Sequence, residues 1–94
     1  MAMAERIRAN LTAALTPARI ELVDESAHHA GHAAMKGLPV GETHFRLLVV
    51  SDRFQGLNRI QRQRLVYQAL ADEMAGGIHA LAVTALAPGE KGAG

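Results

Sequence analysis

THFRLLVVSDRFQGLNRIQRQRLVYQALADEMAGGIHALAVTA, residues 43–85, contains a strand, a turn, a helix and a second strand in unbroken succession. FRLLVVS is apolar along nearly its whole length, as a strand covered on both sides would be, which places it at the centre of a sheet. At SDRFQG that pattern stops. Ser51 or Asp52 can accept from the free N–H groups of a short helical turn, and Gly56 can close it. Asn58 is a good N-cap for the helix that follows. Its stripe of Leu65, Val66, Ala69, Leu70 and Met74 repeats at the helical period, and Gly76-Gly77 ends it. HALAVTAL, residues 79–86, is then a third strand, small and apolar.

Upstream, Met3, Ile7, Leu11 and Leu15 recur every four residues while Glu5, Arg6, Arg8 and Asn10 fall on other faces, which makes the opening segment an amphipathic helix. Pro17 ends it by disfavouring helical geometry at Thr16. RIELVDE follows as a strand, Ile20 and Leu22 alternating with Glu21. The order is α–β–β–α–α–β, an α+β chain with helices packed on one face of a three-stranded sheet. One domain is expected over residues 1–88, with a flexible C-terminal tail over 89–94. Leu48 and Val50 are read as an apolar outer row of the sheet, so the isolated chain is expected to be a monomer or a weak homodimer.

Composition narrows the function. Hydrophobic residues make up 49% of the 94 and charged residues 20%, which suits a folded globular protein. There is no cysteine, hence no disulfide scaffold. Neither a membrane span nor a signal-type apolar segment is visible, and a cytoplasmic location is expected. A net charge of +1 is low for a protein that lives by phosphate contacts. One basic cluster, Arg53, Arg59, Arg62 and Arg64, reads as a solvated face or as a surface for a partner or nucleic acid.

Enzymatic chemistry finds no support. The chain lacks a nucleophile elbow, a phosphate-cradling glycine loop before a helix, and any cysteine nucleophile. Asp24, Glu25, Asp52, Asp72 and Glu73 show no spacing that implies paired acid–base work. What does concentrate is imidazole: His28, His29, His32 and His44 fall between Ser26 and Phe45, where a long connection joins the first two strands. Connections beyond about 12–15 residues without structure of their own are uncommon, and are functional or disordered. Imidazole suits zinc, copper, nickel and iron, but without cysteine such a cluster reads equally as solvated side chains. His79 stands apart at the mouth of the last strand, where rigid backbone can aim it.

His44-Phe45 at the start of strand two, Phe54-x-Gly56, Arg62-x-Arg64-x-Val66-Tyr67 and Gly77-x-His79-Ala80-Leu81 together resemble the BolA family. The resemblance runs from about Ile7 to Pro88 in the same element order, and it implies a fold similar to class II KH domains. Gln63 departs from the family, many of whose members carry histidine between the two arginines.

The resemblance implies a non-enzymatic partner of monothiol glutaredoxins. Such proteins share a [2Fe-2S] cluster with the glutaredoxin and glutathione, in iron–sulfur cluster assembly or delivery or in iron homeostasis. Histidine-type members offer as candidate ligands the histidine after the last helix and one from the connection between strands one and two. These map onto His79 and His29, with His32 and His28 in reserve. Without a thiol the chain can offer a cluster only imidazoles, so none is expected on the isolated protein. The alternative is a DNA-binding transcriptional regulator using the basic face of a KH-like or helix-turn-helix surface. A GXXG loop of the kind that clamps nucleic-acid backbone in KH domains is missing, since QGLNR supplies only Gly56.

Overall fold

Three apolar side chains one helical turn apart define the first element. Ile7, Leu11 and Leu15 are buried along α1 (Met3–Leu15), which ends where Thr16 turns into the left-handed region at φ 43°. The structure is a computed structural model that describes residues 2–25 and 44–93. After α1 come β1 (Arg19–Asp24), β2 (His44–Val50), a 3-10 turn (Asp52–Phe54), α2 (Arg59–Ala69), α3 (Ala71–Gly76) and β3 (Ala80–Leu86).

The sheet order is β1-β2-β3. β2 pairs antiparallel with β1, Arg19 opposite Val50 and Asp24 opposite Phe45. It pairs parallel with β3, His44 opposite Ala80 and Val50 opposite Leu86. The uniformly apolar strand is therefore the central one, as its sequence predicts. Phe45, Leu47 and Val49 point into a core that they share with Ile7, Leu11, Leu15, Phe54, Val66 and Leu70. Strand side chains alternate between the two faces, so Arg46 and Leu48 lie on the opposite face with Glu21, Val23, Ala82 and Thr84 of the neighbouring strands.

Short-range chemistry fixes the turn that leads from β2 to α2. Ser51, fully buried, accepts from the Arg53 N–H at 3.1 Å and donates through its hydroxyl to the Leu15 carbonyl at 2.6 Å. It thereby caps the 3-10 turn and ties it to the end of α1. Gly56 adopts φ +74°, a conformation that any side chain would strain. Asn58 and Gln61 form a reciprocal capping box at the start of α2.

The structure departs from the sequence reading in three places. The helix expected to run from Asn58 to Gly76 is bent at Leu70 (φ −109°, ψ 21°), dividing it into α2 and α3. Leu70 stays wholly buried at the bend. Beyond it Glu73, 2% exposed, accepts from Asn10 at 2.5 Å and pairs with Arg6 at 2.9 Å, joining α3 to α1.

The second departure is the tail. Residues 87–93 are folded back by turns, with Glu90 N–H donating to the Ala87 carbonyl and Ala93 N–H to that of Glu90. The Glu90 carboxylate receives both guanidinium nitrogens of Arg62, at 2.6 and 2.9 Å, and the Ala87 N–H at 2.8 Å. A tail rich in glycine is held in place because one carboxylate collects three donors.

Third, Val50 belongs to no exposed row, being 2% exposed. A Cβ on Gly92 would lie 3.5 Å from Leu86 Cδ1, so the folded tail comes against the register partner of Val50 at this corner of the sheet.

Candidate functional site

Parallel pairing puts the beginnings of β2 and β3 at the same end of the sheet. His44 opens β2 and His79 immediately precedes Ala80, the residue opposite His44. The two imidazoles meet there edge to face, with ring centroids 6.0 Å apart and planes at 74°. The backbone on both sides is anchored. Ile78, 5% exposed, donates its N–H to the Glu73 carbonyl just before His79, and Ala80 enters the ladder just after it. The His79 side chain is exposed, whereas His44 is half-buried.

This is also the end at which the chain leaves and re-enters the sheet. The Glu25 N–H donates to the His44 carbonyl at 2.8 Å, closing the β1–β2 ladder beyond its last pair. The Glu25 carboxylate pairs with Arg46 at 2.6 Å. His28, His29 and His32 fall in the stretch between these two anchors and lie outside the described residues. Both ends of the stretch that carries them therefore stand at the same strand ends as His79. The sequence reading does not bring His44 and His79 together, as the structure does. The signal was present, because a helical crossover between adjacent strands runs them parallel and brings their beginnings together.

The four arginines do not form one surface. Arg53, Arg59 and Arg64 are exposed. Arg62 is turned inward: its side chain is 13% exposed, and it donates to the Leu57 and Ala85 carbonyls at 2.9 and 3.1 Å as well as to Glu90. Its hydrogen bonds to Glu90 raise its pKa, and the same contact with the Ala87 N–H lowers that of Glu90 to about 2. A groove of about 440 Å³ runs beside it, between Leu57, Arg59 and Gln63 on one side and residues 83–86 of β3 on the other. The guanidinium expected to face a partner instead ties α2 to β3 and to the tail.

A bent helical layer on one face of a mixed three-stranded sheet, with histidine at one end of the strands, defines a BolA-like domain. Residues 11–90 match the family model described as BolA-like protein, and the chain belongs to that family. The structure of BolA1 from Arabidopsis thaliana superposes with a TM-score of 0.80 at 44% identity, covering 90% of each chain. Among sequences, UV-induced protein uvi31 of Schizosaccharomyces pombe is 48% identical over 85 residues, which are 89% of this chain and 83% of that protein. SufE-like protein 1 of Arabidopsis thaliana, chloroplastic/mitochondrial, is 48% identical over 87 residues. There the match spans 90% of this chain but only 24% of the relative.

Proposed function

We propose that the chain is a non-enzymatic partner of a monothiol glutaredoxin, contributing imidazole ligands to a shared [2Fe-2S] cluster in cluster assembly or delivery or in iron homeostasis. The observation that carries this reading is the position of His79, an exposed imidazole on anchored backbone at the strand ends where the segment with His28, His29 and His32 departs and returns. Family membership supports it, as does a relative named SufE-like that carries the same domain.

The donor chemistry fits a contributor and not a sole host. With no cysteine in the chain, a cluster's thiolates must come from the partner's cysteine and from glutathione, while His79 and His29 supply nitrogen, with His32 and His28 in reserve. When bound, the cluster supplies iron and sulfide for transfer. The work of this chain is to hold imidazoles in place as nitrogen ligands beside the partner's thiolates. In this reading the chain works in the cytoplasm, whereas two plant relatives are named chloroplastic/mitochondrial and chloroplastic. Among the described residues no helix is long and apolar enough to cross a membrane.

The DNA-binding alternative draws on the arginine face, and the engagement of Arg62 with Glu90 leaves that face one cation poorer. Tight, sequence-selective DNA binding at physiological salt would restore it ahead of the glutaredoxin reading. The deciding experiment is anaerobic cluster reconstitution on a monothiol glutaredoxin, followed by visible circular dichroism with and without this protein. The spectrum is expected to change on addition of the wild-type chain and to change less with His79→Ala. An unchanged spectrum with the wild-type chain would overturn the reading.

A further inference from the structure

His44 and His79 are far apart in sequence, yet the β2–β3 ladder holds their rings edge to face at the sheet end. We propose that these two imidazoles chelate a single borderline transition-metal dication of the Zn²⁺ or Cu²⁺ class, in a site that needs neither a thiol nor a second chain. The inference does not rest on the glutaredoxin reading, because every ligand it names belongs to this protein.

The separation suits a shared ion. With metal–nitrogen bonds of about 2.0–2.1 Å, two imidazole centroids on a tetrahedral ion lie about 5 Å apart, and farther as the angle at the metal opens. The observed 6.0 Å exceeds that by on the order of 1 Å, and the edge-to-face rings must also turn to aim a nitrogen each at the ion, a χ rotation open to the exposed His79. Each ring has two nitrogens, so one can keep a partner in the protein while the other ligates, as metal-bound histidines generally do.

The backbone under both rings is already fixed. His44 lies in the ladder and its carbonyl accepts the Glu25 N–H, while His79 is set between buried Ile78 and Ala80. Ligands carried on backbone fixed in advance lose less freedom when the ion arrives. Among the described residues no third histidine or acidic side chain joins them in a metal-binding group. Among the described residues the pair thus supplies two of the positions that such an ion fills.

The test uses the isolated 94-residue chain, with no glutaredoxin and no cluster, so its failure leaves the proposed function standing. The chain has five histidines, so the variant H28A/H29A/H32A retains only this pair. Zn²⁺ alone is titrated into it while both imidazoles are followed by long-range ¹H–¹⁵N NMR. Both rings are expected to shift together and to saturate at about one zinc per chain. In the same background, His44→Gln and His79→Gln are each expected to weaken zinc binding by about tenfold or more, the scale of loss seen even for outer partners of a metal site. Movement of one ring alone, no saturable binding, or an affinity unchanged by His44→Gln would overturn the proposal. The ring-by-ring reading needs no substitution at either ligand, so it stands even if His44→Gln fails to fold.

Discussion

Ser51 shows how much one short side chain can hold. Its hydroxyl donates to the Leu15 carbonyl and accepts from the Arg53 N–H in a fully buried setting. Ser51→Ala leaves that carbonyl without its donor and the turn without its cap. The loss is expected to be about 1–3 kcal/mol, measured as a shift of the urea midpoint at constant slope. Glu90 makes a prediction of a different kind. Its pKa falls from 4.5 to about 2 because Arg62 and the Ala87 N–H hydrogen-bond the carboxylate. A depressed carboxyl stabilises the fold above its unfolded pKa and loses that contribution as pH falls through the folded one. Wild type is therefore expected to melt above Glu90→Gln at neutral pH. The difference should close between about pH 4.5 and 2 in thermal melts at low salt.

At the scale of elements, helix α2 depends on its first turn. Asn58 and Gln61 satisfy each other's backbone N–H groups there, and Asn58→Ala is expected to cost about 1 kcal/mol, read from chemical denaturation. That cap was legible in the sequence, as were the strands and α1, because caps and hydrophobic periods act between residues a few positions apart. The bend at Leu70 was not legible. Neither glycine nor proline stands there, and the helix turns because Leu70 stays in the core while Glu73 pairs with Arg6 and Asn10 of α1. The Arg62–Glu90 pair was hidden for a related reason. Its partners lie on different elements, and the local composition around Glu90 reads as loose chain. Of the candidate site, His79 was legible from the glycine stop before it. His44 became a neighbour of His79 only through the direction of the β2–β3 pairing.

Seen as a whole molecule, the fold is two layers, and the outer face of its sheet is broken up by charge. The Arg46–Glu25 and Arg19–Glu21 ion pairs flank Leu48, and the Val50 corner is buried. The large apolar side chains most exposed among the described residues are Val23 on β1 and, two turns apart on one face of α2 in the other layer, Ile60 and Tyr67. Exposed apolar residues in so small a number are ordinary on a monomer surface. Sedimentation velocity of the free chain at micromolar concentration is expected to give a single monomeric species. A stable dimer would point to an interface that these residues do not build.

The ladders also set a clock. Every strand pairing joins distant parts of the chain, Arg19 with Val50 on one side and His44 with Ala80 on the other, while α1 and α2 need only their own neighbours. Loop-closure entropy must be met before either ladder returns any energy, and parallel pairing is the slower kind to establish. Helical signal should therefore appear early in refolding. The edge-to-face approach of His44 and His79 requires the parallel ladder, so the geometry at the strand ends arrives among the last events. A chain trapped before that step could show nearly full helical content and still lack the paired imidazoles.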